Sequence, residues 1–174
     1  YLKNVIDCSE RLLQQRYPSY KLGTVRIIVV FENPRAIFRV NEIADALHPY
    51  FAGGSLGWHD YLASATRLFH QGSTYRIPPK SDPNIVIKHM KAAHEMIANV
   101  IGPRKGICVG GMYGLVPDDD DMKSPSFQVC LIGYFKDVIT QLKRGLNGFW
   151  FAYPKFGRIG LAIVEAWNNR DDRC

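Results

Sequence analysis

The chain has 174 residues, of which 47% are hydrophobic, 12% aromatic and 22% charged, a balance typical of a domain that buries a core. This composition excludes intrinsic disorder and a collagen-like fibre. No apolar run approaches the ~20 residues that a membrane-spanning helix needs, so we expect no membrane partner.

The formal net charge is +6, and four of the sixteen acidic residues form one tetrad, Asp118–Asp121. The rest of the chain is therefore more basic than the net charge suggests, which is compatible with an anionic partner. A polyphosphate cofactor would satisfy this charge as well as a nucleic acid would. Because the basic residues are scattered and no basic stripe alternates with aromatic residues, we expect no nucleic-acid partner.

The four cysteines, Cys8, Cys108, Cys130 and Cys174, are widely spaced and include no Cys-x-x-Cys pair. This spacing indicates neither a zinc site nor a disulfide scaffold, so we expect free thiols in a reducing compartment. The expected location is the cytoplasm, with a peroxisome or glyoxysome left open.

The first half of the chain alternates between helical and extended patterns. A helix is predicted near Val5–Gln15, followed by a β-branched apolar strand over Val25–Phe31. Apolar residues at helical spacing predict one helix over Ala36–Leu47. A glycine-rich strand over Phe51–Trp58 and a short helix over Tyr61–Phe69 complete a second unit.

The second half repeats this alternation twice after a predicted loop. Helices alternate there with short apolar strands, and Ser124 is the expected N-cap of the longest helix. The predicted segments are a loop over Gln71–Pro83, a helix over Ile85–Val100, a strand over Ile107–Val109 entering a glycine turn at Gly110–Met112, a helix over Ser124–Leu142, a strand over Gly148–Tyr153 and a helix over Arg158–Trp167.

Four successive strand-helix units predict an α/β fold with a parallel sheet. A doubly wound sheet of four or five strands fits the length, whereas a complete eight-unit barrel needs ~250 residues. Four units make half of such a barrel. We expect an N-terminal helix and linker over residues 1–22 and a partial β/α barrel over residues 23–174.

Two acidic residues follow predicted strands, at the edge where parallel α/β folds bind ligands. Glu32 and Asp60 are separated by about one strand-helix-strand step, which places them at neighbouring strand ends. Mg²⁺ accepts one or two carboxylates and keeps its other positions for water and substrate oxygens. The alternative is structural, with Glu32 capping a helix start and Asp60 acting as an N-cap.

Glycines stand near three predicted strand ends, at Gly53-Gly54 with Gly57, at Gly110-Gly111 and at Gly148. Glycine lets backbone N–H groups approach an anion closely, although a lone glycine pair is more typical of a turn. The spacing matches neither a dinucleotide fingerprint nor a phosphate loop. The five histidines show no zinc pattern, and only His59, beside Asp60, stands near a candidate site.

Four segments resemble, in order and spacing, the second half of the malate synthase catalytic barrel. They are Val29–Glu32, Gly57–Tyr61, Gly110–Met112 with Pro117, and Phe149–Pro154. The resemblance covers roughly Gly23 to Trp167 and implies the carboxyl-terminal half of a (β/α)8 TIM-type barrel. The wider superfamily, which includes the citrate lyase β-subunit-like aldolases, shares the two metal carboxylates.

The resemblance implies an acyltransferase that condenses acetyl-CoA with glyoxylate to form malate. It implies that Glu32 and Asp60 hold Mg²⁺, which also binds glyoxylate, and that the backbone amides from Gly57 through Trp58 and His59 to Asp60 receive the glyoxylate carboxylate. The residues implied for acetyl-CoA are Gly110, Gly111, Met112, Tyr113, Pro117 and Pro154.

The chain departs from the family pattern in two ways. The family's electrophilic arginine and its proton-abstracting aspartate belong to regions outside these residues, and within the chain only His59 and Arg76 are candidates to replace them. Tyr153 stands where the family usually has histidine, and Trp58-His59 replaces a basic-aromatic pair. We therefore expect a missing barrel half or an oligomer partner, and two alternatives stay open: a carbon–carbon lyase on the same metal site, and a non-catalytic half-barrel that binds a ligand or partner.

Overall fold

The computed structural model describes residues 1–72, 74 and 88–170. In this part of the chain, four strands alternate with helices, and no helix combines the length and apolar character needed to cross a membrane. The elements are α1 Leu2–Arg16, β1 Ile27–Phe31, α2 Pro34–Phe38, α3 Val40–Ala46, β2 Phe51–Leu56, α4 Trp58–Phe69, α5 Lys88–Ile101, a 3₁₀ turn Gly102–Arg104, β3 Ile107–Tyr113, α6 Pro125–Lys143, β4 Gly148–Phe151 and α7 Phe156–Asn168.

The four strands form one parallel sheet in the order β1-β2-β3-β4. One level of the sheet runs from Val30 through Ser55 and Val109 to Gly148. Because the spatial order follows the chain order, the described sheet lacks the reversal of strand order that marks a doubly wound fold. The prediction of a partial β/α barrel is confirmed.

The helices pack on one face of the sheet in two apolar clusters. Around β1, β2 and α5 the first cluster includes Phe31, Leu56 and Ile97, each fully buried. The second cluster joins α6 and α7 through Tyr134 and Phe156, whose rings stack with centroids 4.8 Å apart. Full burial of a large apolar side chain contributes about 1.5–3 kcal/mol, so these clusters hold the helices on the sheet.

The opposite face of the sheet carries apolar side chains that remain partly open to solvent. Ile28, Val30, Ile107 and Trp150 are between 40% and 49% exposed. Trp150 crosses β3 and donates from Nε1 to Ser55 Oγ at 3.0 Å. In a closed barrel, such residues form the packed interior layers, so this face is the inner wall of the half-barrel.

A buried carboxylate fastens α1 to the sheet, a feature that the sequence did not indicate. Glu10 is 1% exposed and accepts hydrogen bonds from the Gly23 and Val25 amides at 2.5 and 2.9 Å. The Tyr20 hydroxyl donates to it at 3.1 Å, and the Tyr50 hydroxyl, which donates more closely to Asp7 Oδ1 at 2.5 Å, shares its hydrogen with Glu10 at 3.3 Å. Burial opposes ionisation of Glu10, but these four donors outweigh it and lower the pKa of the carboxyl group.

Several predicted local features are confirmed. Ser124 is the N-cap of α6 and accepts from the Phe127 amide at 3.1 Å, with Pro125 in the first turn. Cys8, Cys108 and Cys130 are free thiols. Most of the predicted loop over Gln71–Pro83, the start of the helix predicted from Ile85, and Cys174 lie outside the described residues.

Several predicted boundaries are wrong, and three of the differences change a predicted element. The helix expected over Ala36–Leu47 is divided at Arg39, which ends α2 and precedes α3. The α4 helix begins at Trp58, so the preceding strand is shorter than predicted. The glycine turn expected at Gly110–Met112 is instead part of β3, because β3 continues to Tyr113 through its pairing with β4.

Candidate active site

The two candidate metal ligands lie at the carboxyl edge of the sheet. Glu32 directly follows β1, and Asp60 lies in the first turn of α4, which follows β2. Phe31 pairs with Leu56, so the two strands end side by side at this edge. Both acidic side chains are exposed to solvent. The structure therefore places them on adjacent units with their carboxylates open to a ligand.

Neither acidic residue acts as the helix cap considered from the sequence. The N-cap of α2 is Asn33, whose side chain accepts from the Ala36 amide at 2.9 Å. The N-cap of α4 is Gly57, whose carbonyl accepts from the Tyr61 amide at 2.8 Å. The structural alternative for Glu32 and Asp60 is therefore wrong.

Gly57 brings the two units into close contact. A Cβ at this position would lie 3.0 Å from Glu32 Oε1, so the Glu32 side chain extends across the glycine toward α4. The Gly57 amide donates to the Phe31 carbonyl at 3.0 Å. The amides of Trp58, His59 and Asp60 follow in the first turn of α4, before the first intrahelical bond.

The donor set at this edge fits a magnesium ion. In the described part of the chain, no group of three or more His, Cys, Asp or Glu side chains is arranged to hold a metal. A hard cation that retains several waters needs only one or two carboxylates, and Glu32 with Asp60 supplies two exposed ones. Such a site would bind the cation together with substrate oxygens.

Trp58 connects α4 to the end of β3. Its Nε1 donates to the Met112 carbonyl at 3.0 Å, and its ring covers the surface of Gly111. The His59 ring lies against it at an interplanar angle of 34°, with ring centroids 3.5 Å apart, and His59 Nε2 lies 3.8 Å from the position of a Cβ at Gly114. The candidate site is therefore continuous from Glu32 to the end of β3.

Gln141 of α6 supports β3 from the helix side and was not identified from the sequence. It is 2% exposed, and its side chain fills the space beside Gly110. Its Nε2 donates to the Gly111 carbonyl at 3.1 Å and to Asp137 Oδ2 at 2.6 Å. The sequence offered one indication of this role, a polar residue between the apolar positions Val138 and Leu142 on the buried face of α6.

The residues expected to bind acetyl-CoA divide into exposed and buried groups. Met112 and Pro154 are exposed, whereas Tyr113 and Pro117 are buried. The Tyr113 hydroxyl packs against Gly133 of α6, and burial, with smaller contributions from Cys130 and Asp137, raises its pKa to about 12. The Tyr113 side chain thus belongs to the core beneath the edge.

An ion pair joins the two loops that carry Pro117 and Pro154. Lys155 Nζ lies 2.7 Å from Asp120 Oδ2, and the Tyr153 hydroxyl donates to Asp120 Oδ1. Lys155, followed by Tyr153, lowers the pKa of the Asp120 carboxyl group. The acidic tetrad therefore includes a tether between loops, a role that composition alone did not reveal.

Comparisons with known proteins agree with this architecture. The family model "Malate synthase, TIM barrel domain" matches residues 12–170. A glyoxysomal malate synthase from Candida tropicalis is 26% identical over 151 residues, which cover 87% of this chain and 27% of that protein. One from Glycine max is 27% identical over 147 residues, covering 84% of this chain and 25% of that protein.

A solved structure gives the same architecture. The Haloferax volcanii malate synthase superposes with a TM-score of 0.53 at 12% identity, covering 92% of this chain and 39% of that one. At this level of identity the similarity concerns the fold. The chain spans about a quarter of the length of the curated relatives it matches.

Proposed function

The chain belongs to the malate synthase family, and on that premise we propose that it supplies part of a Mg²⁺-dependent acyltransferase site that condenses acetyl-CoA with glyoxylate. The observation that carries the proposal is the continuous line of contacts from Glu32 through Gly57 and Trp58 to the end of β3. It lies at the carboxyl edge of the parallel strands, where barrel enzymes place their chemistry.

In this proposal, Glu32 and Asp60 hold the metal. When bound, Mg²⁺ polarises the aldehyde of glyoxylate and makes its carbon more electrophilic. The Trp58, His59 and Asp60 amides receive the glyoxylate carboxylate at the start of α4, where the helix dipole favours an anion. The Gly57 amide donates to the Phe31 carbonyl instead, and the absence of a side chain at Gly57 leaves room for the Glu32 side chain.

The thioester end of the site lies along the end of β3 and the β4–α7 loop. Met112 and Pro154 present exposed apolar surface there, with the Gly110-Gly111 backbone, Tyr113 and Pro117 beneath them. We place the acetyl and pantetheine portions of acetyl-CoA along this surface. The tether from Asp120 to Lys155 holds its two loops together.

The proposed reaction needs two further groups. A base removes a proton from the thioester methyl group, and a cation stabilises the enolate oxygen while the methyl carbon attacks the aldehyde. The aldehyde oxygen takes up a proton to become the hydroxyl group of the product, and a water molecule then hydrolyses the thioester, which leaves a carboxylate and releases the CoA thiol. Family resemblance assigns these groups to an arginine and an aspartate outside the chain. Of the candidate substitutes, His59 has its ring against that of Trp58, and Arg76 lies outside the described residues.

The exposed inner wall supports a further part of the proposal. Ile28, Val30, Ile107 and Trp150 would be covered if four more strands, from additional polypeptide or from a second copy, closed the barrel.

The two missing groups also determine the expected activity. Losing a placed base typically lowers the rate 10²–10⁴-fold, and losing the cation that stabilises the enolate lowers it by a similar factor. We expect the 174-residue chain alone to bind Mg²⁺ but to turn over very slowly.

The testing experiment measures CoA thiol release from acetyl-CoA with and without glyoxylate and Mg²⁺, using this chain and a polypeptide extended by the two missing regions. The proposal predicts glyoxylate-dependent malate formation by the extended protein, lost in Asp60→Asn. Cleavage of malyl- or citramalyl-thioesters without malate synthesis would assign the lyase activity instead. Absence of both reactions in the folded, extended protein would support the non-catalytic alternative.

The placement of the thioester is tested separately with a CoA photoprobe and peptide mapping. The expected crosslinks lie within residues 110–117 and around Pro154, and excess acetyl-CoA should abolish them. Crosslinks confined to another surface, with the same protection by acetyl-CoA, would refute this placement.

A further inference from the structure

We infer that Trp58 is a positioning residue that couples the metal end of the site to its thioester end. This inference rests on the proposed function, because it assigns ligands to both ends. The residue lies between Gly57, which contacts Glu32, and the first-turn residues that include Asp60. Its side chain reaches a different strand, where the thioester would lie.

The β3 backbone needs side-chain support at this point because its regular pairing is interrupted. The pairing of β2 with β3 ends at Val109, and the register between β3 and β4 shifts between Gly110 and Tyr113. Gly111 and Met112 fall within this shift. Their carbonyls accept from two side chains, Gln141 Nε2 at 3.1 Å and Trp58 Nε1 at 3.0 Å.

The two side chains hold the irregular segment from different units of the barrel. Gln141 comes from α6 and fills the space beside Gly110, while the Trp58 ring covers Gly111. The Met112 carbonyl is thus fixed by an indole that belongs to the first turn of α4. A displacement of Met112 would move Trp58, and with it the backbone beside Gly57 and Asp60.

This connection predicts positive coupling between the two ligands. A ligand that orders Met112 lowers the cost of ordering the first turn of α4, so each ligand strengthens binding of the other. The indole N–H is the atom that carries the link. Trp58→Phe keeps an aromatic ring at this position but removes the donor together with part of the ring surface, so a control that loses the same atoms elsewhere is needed to separate coupling from packing.

Trp150→Phe is a matched control. It removes an indole donor of the same 3.0 Å length, from Trp150 to Ser55, on the inner wall of the sheet. Any general effect of losing an indole hydrogen bond should appear in both variants. Only Trp58→Phe should alter the contact between α4 and the end of β3.

The first measurement is ligand-free hydrogen exchange of the peptide that spans Met112–Leu115. Trp58→Phe should exchange about two- to tenfold faster than wild type, the factor expected for one hydrogen bond, and Trp150→Phe should not. Equal protection in wild type and Trp58→Phe would show that the indole does not hold this segment, and it would overturn the inference without reference to any ligand.

The second measurement is Mg²⁺ affinity in the presence of glyoxylate, with and without acetyl-CoA. We expect acetyl-CoA to tighten Mg²⁺ binding at least about fivefold in wild type and Trp150→Phe, and less than about twofold in Trp58→Phe. If Trp58 had a purely structural role, Trp58→Phe would weaken the binding of both ligands, but acetyl-CoA would still tighten Mg²⁺ binding by the wild-type factor. That result would refute coupling. If wild type binds neither ligand, the proposed function fails and the coupling fails with it. If wild type and Trp58→Phe show equal coupling, only this inference fails.

Discussion

The Glu32 side chain lies across Gly57, with its Cγ 2.6 Å from the position that a Cβ at residue 57 would occupy. Val30 Cγ1 approaches the same position to 2.9 Å. Any larger residue at position 57 would therefore displace Glu32 or the adjoining strand. The glycine sets where this carboxylate lies relative to Asp60.

Gly57→Ala should weaken Mg²⁺ binding about tenfold, because the added methyl displaces a carboxylate whose position sets the coordination geometry. Gly102→Ala is the control, since a Cβ at residue 102 meets no atom within 4 Å. Titration calorimetry on both variants gives the comparison. Equal Mg²⁺ affinity in the two folded variants would show that Glu32 does not need this position.

Acidification should release the tether between the β3–α6 and β4–α7 loops. Lys155 and Tyr153 depress the pKa of Asp120, so its contribution is complete above the ordinary aspartate range and is lost as the pH falls through the depressed value. Protection factors of the amides in residues 114–123, which correct for the intrinsic pH dependence of hydrogen exchange, should therefore fall below about pH 4. Asp120→Asn should exchange rapidly at pH 7 already, and a wild-type profile in that variant would contradict the tether.

Glu10→Gln should destabilise the docking of α1. The carboxylate accepts from two backbone amides and two tyrosine hydroxyls, and a carboxamide can present acceptors on only one of its two atoms. Because these donors lower the pKa of Glu10, the wild-type contribution is lost as the pH falls through that lowered value.

The check for Glu10 is urea unfolding beside Glu165→Gln, which changes an exposed carboxylate of α7. The Glu10 variant should show a clearly lower midpoint at pH 7, and the difference from wild type should shrink in acid. A midpoint equal to that of the Glu165 variant would mean that the buried carboxylate contributes nothing.

Gly160→Ala should destabilise the packing of α6 on α7. A Cβ at residue 160 would lie 2.7 Å from two atoms of the Phe149 ring and even closer to the Tyr134 hydroxyl, which donates to the Phe156 carbonyl. Overpacking of this kind costs about 1–3 kcal/mol in the free energy of unfolding. Denaturant titration with Gly102→Ala as reference measures it, and a cost below about 0.5 kcal/mol would show that the cluster adapts.

The sequence predicted the sheet because its signals were local. The apolar run Val25–Phe31 and the Ser124 cap determine structure within a few residues. The strand is confirmed over Ile27–Phe31, and the cap is confirmed. The break at Arg39 was missed because Ile37 of α2 and Val40 and Ala44 of α3 are all buried in the core, at the spacing that one continuous helix would give. Periodicity alone could not distinguish one helix from two.

Glu32 and Asp60 lie at the strand ends, as the sequence predicted, but most of the contacts around them were not predicted. Glu32 and Asp60 could be placed from strand order alone, since parallel strands end at one edge. The side-chain contacts of Gln141 and Trp58 could not be predicted, because their partners are backbone carbonyls 30 and 54 residues away. Such contacts depend on how helices pack on the sheet, which no motif records.

The most direct test is the Mg²⁺ affinity of wild type, Glu32→Gln, Asp60→Asn and the double variant, measured by calorimetry on folded protein. Glu42→Gln, an exposed carboxylate of α3 paired with Arg39, is the control. We expect measurable Mg²⁺ binding by wild type and the control. We expect the Mg²⁺ affinity to fall at least about tenfold in each single variant and to be undetectable in the double variant. Unchanged affinity in both single variants would contradict the assignment of Glu32 and Asp60 as the metal pair.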